Sequence, residues 1–488
     1  MRIAKIKIYS LYTSVIAIAF LITTLIALDN NVRDGYQLLW LLPLSFIIVS
    51  IFTINITNSL LKNLSVTIIW GGYFVRFVLT PLLLMLGDYQ VIFRTLTTSN
   101  IENAIFLMAY EIFIVFICLE MYLIESKRYN NKIIINKKNN EALKLEDSKI
   151  LHFGLIILSL ICVSIVFYIP QLRDSFTWIF SNKTDIANLD YNIDTIAIRG
   201  TINRALSSLF VFIFDIIRYL IPIYLLEITH KRFRNSKFGY IISLIICVSP
   251  FMIISGSNVQ PFIGLIINVV MISKLYPHKS KSMKKFFIIL GFVLLASILA
   301  SKLIILGDTR GVSGIDSLAL TVNAYFPGVG NAAAALNVID DNKFKTLFYD
   351  VFSTIPFRNS IFPTIASKEV TLTLLFNRFN AISGNIIPCI SGSEHYLGFL
   401  LAPFIPAFLA CFSIRMKIKA ETSNSYWKYF YYMFFSIRVA MIPNLYNHIS
   451  FISIVINQFI PIYLITIFIN RIRLRNKSTY IGLNDKPL

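Results

Sequence analysis

The stretches GDTRG (307–311) and SGNIIPCISGSEHYLG (383–398) enclose the longest part of the chain that has no apolar segment of membrane length. On both sides of this part, apolar residues recur in blocks of about 20, the length that crosses the hydrocarbon core of a bilayer. We therefore predict that the rest of the chain is a membrane scaffold and that segment 306–394 lies against one face of the bilayer.

The composition excludes an ordinary soluble protein. The 488 residues are 56% hydrophobic and only 14% charged, whereas about a quarter of the residues in a soluble domain are charged. We predict an all-α, polytopic inner-membrane protein of about twelve transmembrane helices, with 1–488 forming a single integral membrane domain. The predicted spans are 8–28, 36–54, 64–86, 101–124, 150–170, 207–228, 238–255, 258–273, 286–305, 395–414, 429–443 and 450–470.

The basic residues predict the orientation of these spans. With the N-terminus in the cytoplasm, the clusters of lysine and arginine at 127–149, 231–237, 274–285 and 471–477 all fall on the cytoplasmic side. An excess of basic residues in cytoplasmic loops is the usual topology signal. We expect the net charge of +20 to report topology and not nucleic-acid binding. Both termini are then cytoplasmic, and two sizeable segments face outward, 171–206 and 306–394.

Arginine is the prevailing basic residue of the outward segments, which contain Arg199, Arg204, Arg310, Arg358 and Arg378 among others. The planar guanidinium holds phosphate or carboxylate oxygens through two parallel hydrogen bonds, which lysine cannot do. The pattern predicts an anionic ligand on the outer face. Pairing of these arginines with acidic residues of the same segments is the alternative.

Three arginines lie inside predicted spans: Arg76, Arg218 and Arg438. A charge within the bilayer requires a partner or a water-filled cavity. Arg218 is three residues after Asp215 on the same helix, a spacing that allows pairing. Glu111, the deepest acidic residue of the fourth span, can neutralise Arg76. A proton relay is the alternative role for these acidic residues.

Segment 306–394 also carries signals of local structure. A turn cluster at 326–330 precedes the helix-forming run 332–335, and 344–357 has an amphipathic pattern suited to a membrane surface. Of the five histidines, His395 and His448 fall on the outer side. Glu394 comes just before the predicted tenth span and His395 stands at its start, where a desolvated carboxylate can act as a base. The alternative is that Glu394 caps that helix. We find no phosphate loop, zinc motif or cofactor motif in the sequence, so we predict no cofactor and no metal.

The chain resembles the O-antigen polymerase (Wzy) family. The resemblance rests on the topology and on GxxxP at 384–388 followed by GxExYxxF at 392–399, which is similar to the end of the large periplasmic loop in these repeat-unit polymerases. The sequence ISGSN at 254–258 resembles the GSR turn of the family, with Asn258 in place of the arginine.

The resemblance implies a metal-independent membrane glycosyltransferase of lipopolysaccharide biosynthesis in the bacterial inner membrane. It would move a growing polysaccharide from undecaprenyl pyrophosphate onto a lipid-linked repeat unit at the periplasmic face. Arg199, Arg204, Arg310, Arg358, Arg378 and Tyr396 would hold the pyrophosphate and sugars, and Glu394 or His395 would activate the attacking hydroxyl. A chain-length regulator protein is an implied partner.

Three other classes remain open. An O-antigen ligase has a similar topology but transfers to the lipid A core. A flippase for lipid-linked oligosaccharides would have short loops on both sides, which the length of segment 306–394 disfavours. Another type of membrane glycosyltransferase would carry its acidic residues in a large first outer loop, whereas that loop is short in this sequence.

Overall fold

The computed structural model describes residues 2–60, 62–89, 96–136, 143, 145, 149–170, 172, 176–178, 201–233, 236–255, 259–279, 314–366, 368–380 and 386–468. The helices are α1 (Arg2–Ala27), α2 (Leu41–Phe52), α3 (Ile54–Ser59), α4 (Leu64–Phe74), α5 (Thr80–Leu86), α6 (Thr98–Asn136), α7 (Lys149–Tyr168), α8 (Thr201–Arg232), α9 (Lys237–Met252), α10 (Val259–Leu275), α11 (Gly314–Tyr325), α12 (Val329–Leu336), α13 (Lys343–Ser353), α14 (Arg358–Ile361), α15 (Pro363–Ala366), α16 (Leu372–Asn380), α17 (Cys389–Leu397), α18 (Phe404–Glu421), α19 (Tyr426–Leu445), α20 (Ile449–Ile454) and α21 (Ile460–Tyr463).

Six helical stretches in the described part of the chain are long and apolar enough to cross a membrane: Tyr9–Ala27, Leu64–Leu86, Thr98–Ser126, Leu151–Tyr168, Ala205–Arg232 and Ile449–Ile467. They coincide with the first, third, fourth, fifth, sixth and twelfth predicted spans. Shorter apolar helices occupy the second, seventh and eighth, at Leu41–Phe52, Lys237–Ser249 and Gln260–Leu275. The predicted helical membrane protein is therefore confirmed. The number of twelve spans and the orientation stay predictions, and the ninth span, 286–305, lies outside the described residues.

Two long helices are interrupted by π-helical turns. Val75–Leu79 joins α4 to α5, and Val455–Phe459 joins α20 to α21, which is followed by a further π-helical turn at Leu464–Phe468. Such turns insert an extra residue into an α-helix and often occur at functional sites. The first of them contains Arg76, the buried arginine of the third predicted span.

The bounds of the predicted tenth span are wrong. Residues 389–397 form the separate helix α17, which ends at Gly398 with a φ of +76°, a conformation that only glycine adopts without strain. The long helix α18 starts six residues later, after Pro403. The apolar composition of 395–414 is continuous, so hydropathy alone does not reveal this break.

Part of segment 306–394 completes the core of the membrane domain. The turn cluster at 326–330 leads into α12, as predicted, and the run from Ala332 to Ala335 is buried. Val329, Ala332 and Ala333 pack into the same core as residues of α1, α2, α4 and α6. Small side chains allow this close approach of α12 to α6. Segment 306–394 is therefore more than a cover over the membrane helices.

The amphipathic pattern at 344–357 forms α13, whose inner face buries Thr346, Tyr349, Asp350 and Phe352. On its outer face, the exposed fractions are 81% for Phe344 and 55% for Phe348. The helix is confirmed, while its contact with a membrane surface stays a prediction. A short antiparallel ribbon pairs Phe176–Trp178 with Ile253–Ser255, which links the smaller outward segment to the end of α9.

Candidate functional site

The short helix α17 positions Glu394, His395 and Tyr396 together. Pro388 precedes the helix with φ −57°, and Gly398 ends it. The helix packs against α12 and α13 on one side and against α18 and α19 on another. A Cβ atom at Gly392 would lie 2.7 Å from Nδ1 of His448, so this position of the helix accommodates no side chain without movement of His448.

His395 forms a buried pair with Asp340. Its Nε2 lies 3.0 Å from Oδ2 of Asp340, and both side chains are 6% exposed. Burial acts to raise the pKa of Asp340, but hydrogen bonds from the backbone of Asn342 and from Thr346 and His395 outweigh it and lower that pKa. Asp340 is therefore a carboxylate that orients the imidazole. The hydrogen bond of His395 to another described residue uses Nε2, so Nδ1 can accept a proton from another group.

Tyr396 binds a second carboxylate. Its hydroxyl donates to Oδ2 of Asp350 over 2.5 Å, and the backbone N–H of Leu372 donates to Oδ1 over 3.1 Å. Burial raises the pKa of Asp350 to about 6 against the lowering effect of these two hydrogen bonds. The tyrosine hydroxyl is already engaged within the protein. A direct contact of Tyr396 with substrate would thus use its ring or require the hydroxyl to leave Asp350.

Glu394 is half-buried beside this cluster. Burial raises the pKa of its carboxyl, while Lys343 and His395 act to lower it. The predicted role of Glu394 as a cap of the following helix is wrong, because α18 begins at Phe404. Glu394 instead lies near the end of α17, where its carbonyl accepts a hydrogen bond from the N–H of Gly398 over 2.8 Å.

His448 belongs to the same cluster, although the sequence analysis did not select it. Its ring meets the ring of Tyr396 edge-on at 5.4 Å, and both ring nitrogens are buried without a hydrogen-bond partner. Burial, together with the nearby His395, lowers the pKa of His448 to about 4. His448 is thus a neutral imidazole at neutral pH. Its predicted outward position was a signal, but its distance of 53 positions from His395 along the chain concealed the contact.

The candidate arginines do not share one arrangement. Nη2 of Arg358 lies 3.2 Å from Oε2 of Glu369, and Nη1 donates to the carbonyl of Ser353. For Arg358, the alternative of pairing with an acidic residue of the same segment is therefore present in the structure. Arg378, in the last turn of α16, is exposed. Arg199 and Arg310 lie outside the described residues, as does the side chain of Arg204. Convergence of the arginines with Glu394 and His395 therefore stays a prediction.

The buried arginine of the third span has the partner predicted for it. Nη1 of Arg76 lies 2.9 Å from both oxygens of Glu111, and both side chains have an exposed fraction of 0%. The hydroxyl of Tyr73 donates to the same carboxylate. Arg76 also donates to the carbonyls of Pro327 and Pro443. It therefore ties the third predicted span to segment 306–394 and to the end of α19.

The pairing predicted for Arg218 is present as well. Its Nη1 lies 3.7 Å from Oδ1 of Asp215 and 2.6 Å from the side-chain oxygen of Gln260. Arg438 differs from both other buried arginines. It is 4% exposed, and its Nε and Nη1 atoms are buried with no hydrogen-bond partner.

No group of three or more metal-ligating side chains occurs within the described ranges. Comparison of the chain with protein-family models, with curated proteins and with solved structures finds no match. The chemistry of the site must therefore be argued from its residues. A histidine held by a carboxylate, with its other nitrogen free, can remove a proton from a hydroxyl group.

Proposed function

We propose that this protein is a polysaccharide polymerase of the O-antigen type, a membrane glycosyltransferase that joins lipid-linked oligosaccharide repeat units. The observation that carries the proposal is the buried contact between His395 and Asp340 at the end of segment 306–394. It supplies an oriented base in the segment that the resemblance assigns to the periplasmic face of the bacterial inner membrane, with both termini in the cytoplasm.

In the proposed reaction, a hydroxyl of the acceptor sugar attacks the anomeric carbon of the growing chain. The new glycosidic C–O bond forms as the bond between that carbon and the pyrophosphate of the undecaprenyl carrier breaks. Nδ1 of His395 accepts the hydroxyl proton, and Asp340 stabilises the resulting imidazolium. The carrier leaves as undecaprenyl pyrophosphate, whose negative charge requires basic side chains nearby.

Glu394 has a different role in this proposal. Its carboxyl has a raised pKa and lies in the turn of α17 next to His395, so it is suited to bind a sugar hydroxyl or to share the proton. Asp350 and Tyr396 fix the position of α17 against α13. Arg378 is exposed and remains our candidate for contact with the pyrophosphate, together with Arg199, Arg204 and Arg310.

The test is the length distribution of surface polysaccharide in the bacterium that encodes this chain, using its own lipid-linked repeat units. We expect deletion of the gene to leave single repeat units on the surface and to remove the ladder of longer chains. A ligase or a flippase would instead lose the single units too. His395→Ala and Asp340→Asn should shorten the chains strongly, because a positioned base contributes about 10²–10⁴ in rate.

His278→Ala is the matched control, because His278 is exposed on the short 3₁₀ turn Pro277–Lys279, far along the chain from α17. Its chain lengths should equal those of the wild type at equal protein abundance. A full ladder in the deletion strain would refute the proposed function. A full ladder in both His395→Ala and Asp340→Asn would refute the choice of base.

A further inference from the structure

Three helices meet around Arg438 in the membrane domain. The ring of Tyr219 on α8 lies 4.8 Å from the ring of Phe434 on α19, and Phe434 is one helical turn before Arg438. The hydroxyl of Tyr219 lies 3.5 Å from the carbonyl of Gln260 on α10. Arg438 therefore faces the junction of α8 and α10, within an apolar core that contains Ile216, Leu220, Ile263 and Phe434.

The guanidinium of Arg438 lacks the partners that such burial requires. Its Nε and Nη1 atoms are both buried and unbonded, so each of its two donor edges keeps an unused N–H. The ring of Tyr446 lies 6.0 Å from its central carbon, a contact that satisfies no N–H. Burying an ionised donor without a partner is costly, and within a membrane domain such a charge requires a partner or a water-filled cavity.

The charges around Arg438 leave a positive excess. Asp215 is the acidic residue with which it interacts electrostatically, but Arg218 already pairs with that carboxylate. Two arginines thus share one carboxylate. The buried Arg76 shows the contrast, because only its Nη2 lacks a partner, while Glu111 accepts two hydrogen bonds from it and two carbonyls accept others. At Arg438 the missing partner is one negative charge with oxygen acceptors.

We propose that Arg438, with Arg218 beside it, binds a phosphate oxyanion between α8, α10 and α19. A guanidinium matches the geometry of phosphate oxygens along either donor edge. In a bilayer, the oxyanion at hand is the phosphate of a lipid head group, and a free phosphate reaching the junction from solution has the same chemistry. The site itself follows from the geometry alone. Its assignment to the pyrophosphate of the lipid-linked substrate rests on the proposed function.

The test is equilibrium binding by the purified full-length protein, which needs no turnover. Inorganic pyrophosphate is titrated into protein in detergent micelles, and phosphatidic acid is titrated in nanodiscs of phosphatidylcholine. We expect saturable binding of at least one of them. Arg438→Gln should weaken it about tenfold or more, because a hydrogen bond to a charged group contributes roughly that factor. Arg438→Lys should bind with intermediate affinity, since it keeps the charge and loses the planar donors.

Arg415→Gln is the matched control, because Arg415 is an exposed arginine of α18; it should bind as the wild type does. Binding of pyrophosphate alone identifies a free phosphate ligand, and binding of phosphatidic acid alone identifies a lipid head group. Both support the site. Absence of saturable binding by the wild type, or equal binding by the wild type and Arg438→Lys, overturns it even if Arg438→Gln fails to fold.

The same measurements separate this inference from the proposed polymerase. His395→Ala should keep wild-type pyrophosphate binding, because His395 is assigned to the proton and not to the phosphate. If deletion of the gene leaves polysaccharide chain length unchanged while binding still depends on Arg438, the polymerase is refuted and the anion site stands. If chain length depends on the protein but binding does not depend on Arg438, the reverse holds.

Discussion

Removal of either partner of the Arg76–Glu111 pair tests how much this buried ion pair contributes to the stability of the fold. Glu111→Gln leaves the guanidinium buried with no counter-charge, which typically costs about 3–5 kcal/mol. Arg76→Met leaves the carboxylate of Glu111 buried without its counter-charge, at a similar typical cost, and it removes the donor from the carbonyls of Pro327 and Pro443. An unsatisfied buried acceptor adds about 1–3 kcal/mol, so we expect Arg76→Met to lose at least as much stability as Glu111→Gln.

The double variant Arg76→Met with Glu111→Gln should be less destabilised than the two single losses together. In the double variant no charge remains buried, while the two carbonyls still lack the donor that Arg76 supplied. From the figures above we expect a coupling energy of at least about 3 kcal/mol. The measurement is a double-mutant cycle of reversible unfolding in mixed detergent micelles. A cycle that closes additively, to within about 0.5 kcal/mol, would show that the pair contributes nothing as a pair and would refute this reasoning.

Three further predictions concern His448, Gly392 and the topology. First, burial lowers the pKa of His448 from 6.5 to about 4, so its neutral form stabilises the fold above pH 6.5, and that stability is lost as the pH falls towards 4. Relative to His448→Asn, the wild-type protein should lose about 3 kcal/mol of its free energy of unfolding over this pH range in an unfolding titration. An equal pH dependence of both proteins would contradict this. Second, Gly392→Ala should displace the imidazole of His448, because its Cβ would lie 2.7 Å from Nδ1; we expect a loss of about 1–3 kcal/mol in the same unfolding assay, and unchanged stability would be evidence against the tight contact. Third, a topology reporter fused after Asp350 should behave as periplasmic and one fused after Lys138 as cytoplasmic, and the opposite result at either site would reject the predicted orientation.

The membrane helices could be predicted from the sequence, because about 20 consecutive apolar residues have few other stable structures. The pairing of Arg76 with Glu111 could be predicted for a related reason, since a charge in this environment must find an opposite charge. The start of α18 could not be predicted from hydropathy. Gly398 and Pro403 interrupt the helix at a point where the apolar composition continues.

The candidate site was predictable only in part. Glu394, His395 and Tyr396 are close in sequence, so their proximity required no knowledge of the fold. Asp340, Asp350 and His448 reach them through tertiary contacts that leave no periodic signal. Arg358 was a reasonable candidate by residue type, but its contact with Glu369 depends on how the connection between α15 and α16 packs against α14. The unpartnered donors of Arg438 likewise became visible only when the surrounding helices were in place.

The burial of α12 has a consequence for the biogenesis of this protein. Val329, Ala332 and Ala333 of α12 fill a core whose other buried members belong to the first 123 residues and to α18 and α19. The N-terminal helices are synthesised and inserted long before residue 332 leaves the ribosome. Until then they lack the contacts with α12, and the surface of α6 that packs against α12 stays uncovered. Assembly of the first helices must therefore wait until α12 has been synthesised and has docked, so a chain truncated before α12 would be inserted but unassembled.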